Sequence, residues 1–388
     1  MLLEVGIIGT SKPVKFLVTL LRAKGFQPVA VCGNQLNTAK KFAEEADIPF
    51  YTSNVEDILL RSGVDIIFIL CPPSMQAQIA NKALSIGKHV VCDRPCGLQQ
   101  ADALKMANAA QYYPSLIGIV SYGMRFDPIL QKMQSLILSS FIGQIMLISV
   151  DINTSSLVGD EYSWLCDENS GGGILTVICS HFIDAISFIT GKKLRQVHGS
   201  LRTLVRITDK INGIRQITSD DFCSFQGEIN GGAFLSVTAN SNMSDLFKYN
   251  LVITGSKGYL STDGKILEHF NSETKEKSVV AQMDTFTAAR DLNDCKDYFH
   301  LLCPSEEGLS RFVNALKESF QGVEDRTGWN KDPVAMAATF EDGQYVQAVI
   351  EAVRKSSRLK EWVSVTSISE APDPNPLISA AVKGVQRT

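Results

Sequence analysis

The sequence predicts an α/β protein of two domains: a doubly wound parallel sheet, then an α+β domain with a mostly antiparallel open sheet. Three observations predict it. Short apolar runs alternate with amphipathic stretches over residues 1–122. Longer alternating segments separated by hairpin-type turns follow. The chain has 388 residues, more than one hydrophobic core ordinarily serves.

The apolar runs at residues 5–8, 29–32, 66–70, 89–92 and 116–121 read as buried strands, with amphipathic helices such as 38–46 and 76–85 between them. Continuous apolar strands joined by helices imply a parallel sheet covered on both faces. Gly63 and Gly87 fall just past helical stretches, where left-handed helix ends favour glycine. Residues 129–138 read as a linking helix. Strands at 144–153, 194–205, 222–229, 233–239 and 249–254 follow, with turn signals at Asn230-Gly231-Gly232 and Asp263-Gly264. One helix near 173–189 interrupts them, and the polar stretch 271–277 reads as an exposed loop. Two helices close the ordered chain, the later carrying Val346, Val349, Ile350 and Val353 on one face. From about residue 367 the chain is proline-spaced, at Pro372, Pro374 and Pro376, and is expected to lack fixed structure. The expected division is residues 1–122, 123–366 and a tail at 367–388.

Composition is that of an ordinary globular protein, 45% hydrophobic and 20% charged. A net charge of −4 argues against a general binder of nucleic acid or anionic membranes. The N-terminus enters a strand directly, with no secretory leader pattern, and no stretch reaches the roughly 18 uncharged apolar residues of a spanning helix. The nine cysteines are scattered without a CxxC pair, which suits a reducing compartment, so the expected location is the cytoplasm. The five histidines are isolated and no metal site is expected.

The first strand ends in Gly9-Thr10-Ser11-Lys12-Pro13-Val14. A dinucleotide turn carries G-x-G-x-x-G here, so that backbone and a helix N-terminus approach the pyrophosphate. Gly9 fills the first place, and Ser11 and Val14 stand in the second and third. Position and the βαβ pattern favour a nicotinamide dinucleotide over an ordinary βα turn. After the second strand come Gly33 and Asn34 instead of the acid that holds the ribose hydroxyls of NAD. That absence, with Lys40 and Lys41 nearby, leans the cofactor toward NADP over NAD. The competing reading makes those lysines a solvated helix face.

Two further segments carry a family resemblance. Gly87-Lys88-His89-Val90-Val91-Cys92-Asp93-Arg94-Pro95 resembles the GKHV-x-x-EKP segment of the Gfo/Idh/MocA oxidoreductases. Gly171-Gly172-Gly173-Ile174-Leu175-Thr176-Val177-Ile178-Cys179-Ser180-His181-Phe182-Ile183-Asp184 resembles that family's GGG-x-L-x-D-x-G-x-H-x-x-D segment, and residues 337–343 its C-terminal signature. The resemblance covers residues 1 to about 366. It implies a Rossmann-type first domain that holds NAD or NADP, and a second domain whose open sheet forms a homodimer. A face alternating Ile148, Val150 and Ile152 against Leu235 and Val237 is the candidate dimer surface.

In that family a Lys, an Asp and a His surround the hydride-transfer site. Here the Lys place holds Arg94, which can anchor an anion but cannot shuttle a proton. The Asp place holds Val177. Asp93 replaces the family Glu as an orienting carboxylate. His181 remains, either as a general base or as a satisfied core histidine. The loop Cys71-Pro72-Pro73-Ser74-Met75-Gln76 resembles the cofactor-side T-P-N-x-x-H loop, with Pro72 kept and Gln76 in the His place. Tyr122 and Arg125 border the implied substrate pocket. Arg125 is an anion or sugar ligand, or else a tie to the linking helix, and Asp184 reads as a structural partner. Cys96 is a thiol beside the cofactor or a buried inert one. Three functions follow. One is a dinucleotide-binding protein with a degenerate catalytic site, acting as a sensor or for an unidentified protein partner. The second is a working dehydrogenase on a sugar-like alcohol using His181. The third is a nucleotide-free interaction protein.

Overall fold

The computed structural model describes residues 3–209, 211, 216–243, 247–283, 301–321 and 328–370. The expected tail from residue 371 onward, with its three prolines, and Cys295 therefore lie outside the described residues.

The first sheet takes β1 (Glu4–Ile8), β2 (Gln27–Cys32), β3 (Phe50–Thr52), β4 (Ile66–Ile69), β5 (His89–Cys92) and β6 (Gly118–Val120) in parallel, in the order β3-β2-β1-β4-β5-β6. This is the doubly wound dinucleotide-fold order, which reverses between β1 and β4. Helices α1 (Lys12–Ala23), α2 (Leu36–Glu45), α3 (Val55–Leu59), α4 (Pro73–Ser85) and α5 (Gln100–Tyr112) connect the strands. The three-residue β3 is too short for a periodic signal and has no counterpart in the sequence reading. Gly87 has φ of +82°, as a left-handed helix end requires. Gly63 does not. A Cβ there would meet only the carboxylate end of the flexible Glu4 side chain, which can move aside.

After α6 (Pro128–Leu138), the second sheet holds β7 (Ile145–Asn153), β8 (Leu194–Arg202), β9 (Phe222–Ile229), β10 (Phe234–Asn240), β11 (Lys248–Gly255), β12 (Gly258–Thr262), β13 (Ile266–Asn271) and β14 (Lys277–Gln282). All its neighbours are antiparallel except β7 and β10, which run parallel in its middle. β8 stops at Arg202, short of the expected 205, because the Leu204 and Val205 N–H groups donate to the Asp221 carboxylate instead of to a strand. Residues 272–276 form the exposed turn between β13 and β14.

A π-helical turn, Leu175–Cys179, runs into α7 (Ser180–Thr190). The later chain adds α8 (Glu306–Glu318), β15 (Ala338–Thr339), α9 (Phe340–Leu359) and β16 (Val363–Ser364). β15 returns to the first sheet and pairs antiparallel with β6, while β16 edges the second sheet beside β8. α9 carries the last part of the motif at 337–343 and starts with a Thr339–Asp342 capping box. One contiguous core joins both sheets through α7 and α9.

One expectation changes. Ile148, Val150, Ile152, Leu235 and Val237 are at most 1% exposed, so this face packs into the chain's own core and is not a dimer surface. The opposite face carries Leu147, which registers against Phe234, whose ring lies 6.1 Å from that of Trp362. Residues Glu168–Thr190 are long and apolar enough by length and composition to cross a membrane, but they hold Glu168 and Asp184, so no uncharged run of 18 occurs, and 89% of their apolar 18-residue window is buried inside the fold. The eight described cysteines are all free and buried.

Candidate active site

The carboxyl ends of β1, β2, β4 and β5 share one edge of the first sheet, and a sequence candidate stands at each. Gly9 follows β1 with φ of +139°, and a Cβ there would lie 2.4 Å from the Leu70 carbonyl oxygen. Glycine is required because β1 and β4 leave the sheet so close together. The Gly9 N–H donates to the Cys32 carbonyl at 2.9 Å and ties this turn to β2. Ser11 is the N-cap of α1, exposed, with no capping bond from its side chain. The N–H groups of Thr10 and Ser11 have no backbone partner among the described residues. Free N–H groups and a free hydroxyl at a helix N-terminus fit a pyrophosphate.

Gly33 packs so tightly that a Cβ would lie 3.1 Å from the Thr10 side chain, and Asn34 after it is exposed. Lys40 and Lys41 lie on the solvent face of α2, Lys40 3.9 Å from Glu44. At the end of β4, Cys71 and Pro72 lead into α4. Gln76 does not face the cleft. It is 1% exposed and braces two loops: its Nε2 donates to the Cys71 carbonyl (3.3 Å), and its Oε1 accepts from the Gly97 N–H (2.9 Å). Burial pushes the Cys71 thiol up to about 12. Cys96 is likewise buried with its thiol pushed up, first by burial and then by Asp102, so it is a packed apolar group and not a reactive thiolate.

At the end of β5, Arg94 is 3% exposed and each of its three guanidinium nitrogens donates a hydrogen bond. Nε donates to His181 Nε2 at 2.7 Å, Nη1 to Asp93 Oδ2 at 3.1 Å, and Nη2 to the Leu301 carbonyl. Asp93 holds this end of β5 in place, since its Oδ1 also accepts from the Arg94 N–H (2.9 Å) and the Ser121 hydroxyl (3.1 Å). Guanidinium N–H groups only donate, so Nε2 of His181 is the lone-pair nitrogen and the proton sits on Nδ1. That Nδ1 is buried without a partner. Burial first, and the positive charge of Arg94 second, hold His181 well below the usual imidazole range. His181 is thus neutral, with its basic nitrogen already bonded.

Tyr122 packs edge-on to His181, with ring centroids 5.7 Å apart, and its buried hydroxyl has no partner. Arg125 forms a fork on Asp184, at 2.9 Å from Nε and 2.6 Å from Nη2, and its Nη1 lies 3.2 Å from Asp342. It ties the turn after β6 to α7 and to the start of α9. Val177 sits in the π-helical turn, 2% exposed.

Sequence reasoning missed Asp220, which fixes the helix bearing His181. The Asp220 carbonyl accepts from the Ile174 N–H (2.8 Å) and its Oδ2 from the Leu175 N–H (2.9 Å). A Cβ on Gly173 would lie 2.2 Å from Oδ1, which explains the third glycine of the motif. The capping residue lies 45 positions downstream of Leu175, so no local pattern announces it. Burial pushes the Asp220 carboxyl up to about 6; the Leu175 N–H and Arg354 oppose this, and Glu168 adds to it. A carboxyl raised on folding binds its proton more tightly in the native state. Its contribution to stability therefore falls as pH rises from the usual 3.8 through about 6. The loss is on the order of 3 kcal/mol. Asp220→Asn keeps an acceptor for Leu175 and is expected to lose less stability than the parent between pH 4 and pH 7, as read from urea midpoints.

No group of three or more potential metal ligands occurs among the described residues. Residues 3–119 match the family model described as an oxidoreductase family with an NAD-binding Rossmann fold, and residues 130–261 match the GFO/IDH/MocA C-terminal domain. The chain is 40% identical over 381 residues to glucose-fructose oxidoreductase domain-containing protein 2 of Xenopus laevis, covering 98% of each chain. It is 38% identical over 385 residues to glucose-fructose oxidoreductase domain-containing protein 1 of Mus musculus, covering 99% of this chain and 98% of the other. Among solved structures, it resembles levoglucosan dehydrogenase in complex with NADH and levoglucosan, with a TM-score of 0.76 at 18% identity over 95% of this chain and 100% of that one. An oxidoreductase domain protein from Kribbella flavida gives a TM-score of 0.76 at 22% identity, over 94% and 100% of the two chains.

Proposed function

This chain belongs to the Gfo/Idh/MocA oxidoreductase family, and from that premise we propose that it holds a nicotinamide dinucleotide without using it for hydride transfer. It acts by binding, as a sensor or through a protein partner. One observation carries this reading: Arg94 Nε donates to His181 Nε2 at 2.7 Å. A carbinol surrenders its hydride only as a base takes its hydroxyl proton. The remaining imidazole base of the family set is bonded to a cation that cannot accept a proton, and Val177 has no polar atom to replace it.

The residues present fit the dinucleotide. The N–H groups of Thr10 and Ser11 and the Ser11 hydroxyl, without partners at the helix N-terminus, would hold the pyrophosphate. Gly33 and Asn34 would face the adenosine ribose and the backbone of Cys71 and Pro72 the nicotinamide side, and Gln76 braces that loop. Bound there, the dinucleotide supplies a hydride donor or acceptor. Arg94 and Asp93 close the position where a substrate would meet it. The preferred form is NADP, because Asn34 offers no carboxylate to repel a 2′-phosphate. Calorimetry is expected to show NADP binding at least about tenfold more tightly than NAD. Mass spectrometry of nucleotide that co-purifies with the full chain is the direct test, and NADP(H) is the expected species. Protein free of nucleotide, with no saturable binding of either form, would leave an interaction protein as the better account.

A working oxidoreductase on a sugar-like alcohol is the second reading, favoured by the neutral state of His181. It requires Arg94 to release Nε2. The homodimer belongs to the same proposal, moved to the outer sheet face with Leu147, Phe234 and the 42%-exposed Trp362. Trp362→Glu is expected to shift the particle from dimer to monomer mass in light scattering. A variant that keeps the parent's mass argues against this face.

A further inference from the structure

A cavity of about 620 Å³ lies between the segment after Gly97, residues 168–169, the C-terminal half of α9 and β16, away from the dinucleotide cleft. None of Gly9, Ser11, Gly33, Pro72, Arg94 or His181 lines it. We propose that it is a second small-molecule site, one that takes an organic anion: a carboxylate or phosphate head on a short apolar body. Its volume is that of a small-ligand pocket. Leu98, Ala352 and Val363 supply apolar wall.

Charge selects the class. Arg354, Lys355 and Arg358 line the cavity against Glu168 and Glu351. Glu351 is already committed, because its two oxygens accept from the Gln100 N–H (2.7 Å) and the Gln100 Nε2 (2.8 Å). None of the three cations forms a salt bridge among the described residues. Arg354 spends Nη2 on the Thr176 hydroxyl (2.8 Å), and its buried Nε has no acceptor. The Arg354 charge also acts on the buried Asp220 carboxylate, so the exposed Lys355 and Arg358, without an ion pair among the described residues, supply most of the attraction for an anion.

The position gives the site a consequence. Leu98 and Gln100 continue the loop that carries Arg94, and Thr176 immediately precedes Val177 on the way to His181. An anion in the cavity therefore touches the loop after Arg94 directly and reaches the turn before His181 only through the Arg354–Thr176 hydrogen bond. Any coupling to dinucleotide binding is reciprocal.

The test uses the full chain at constant ionic strength, with inorganic phosphate, citrate and hexanoate as probes in calorimetry. At least one is expected to bind saturably. Lys355→Ala/Arg358→Ala, at two exposed positions, is expected to weaken it by at least about tenfold while dinucleotide affinity, measured without added anion, stays unchanged. Arg354→Ala is expected to weaken it as well. The proposal is overturned if no probe saturates below about 10 mM. It is also overturned if the double variant binds the anion like the parent, or if anion and dinucleotide affinities fall together in it.

Discussion

Arg94→Lys combined with Val177→Asp is expected to turn the protein into a measurable dehydrogenase on sugar-like alcohols. The rise should be about 10²–10⁴-fold over the natural chain, the range a placed general base supplies. Arg94 now occupies three acceptors at once: His181 Nε2, Asp93 Oδ2 and the Leu301 carbonyl. A lysine at this position keeps a charge beside Asp93 but has no planar fork with which to hold all three. Nε2 is then free to receive a proton. Aspartate at 177 returns a polar atom to a turn that is apolar and buried at present. Either single change is expected to fall well short of the pair, because the groups act as one unit. Turnover by the natural chain equal to that of the double variant would mean that the site is not closed.

Asp184→Ala is expected to destabilise the fold by about 3 kcal/mol or more. The change strips Arg125 of a fork at 2.9 and 2.6 Å, with both partners buried. Asp342 at 3.2 Å remains but is more exposed, so it compensates only in part. Urea denaturation measures the loss. Arg125→Met/Asp184→Leu, which removes both charges and keeps the volume, is expected to recover most of it. A loss below about 1 kcal/mol, as for an ordinary exposed pair, would show that Arg125 is not a structural tie and is available to a ligand.

What was legible in the sequence follows from how local each signal is. The parallel strands announced themselves because a strand buried on both faces is continuously apolar, as in Ile66–Ile69. Gly9 was legible as a turn glycine, and the structure adds the reason, the approach of the Leu70 carbonyl. The divergence at Arg94 and Val177 was visible as residue identity alone. What Arg94 does was not, because its partners lie 87 and 207 residues downstream. Asp220, Arg354 and the return of β15 to the first sheet are long-range in the same way. The dimer face was misread because alternation marks a buried face without saying which neighbour buries it. Here the core of the same chain does so.

Binding of a dinucleotide without hydride transfer, as proposed here, has one direct test. The direct measurement loads the natural full chain with NADPH carrying deuterium at nicotinamide C4. It then follows the label by mass spectrometry into ketose and aldose substrates under single-turnover conditions. The account predicts saturable binding with the label retained on the cofactor. Label appearing in the sugar alcohol, at a rate the Arg94→Lys/Val177→Asp variant does not exceed, would contradict it.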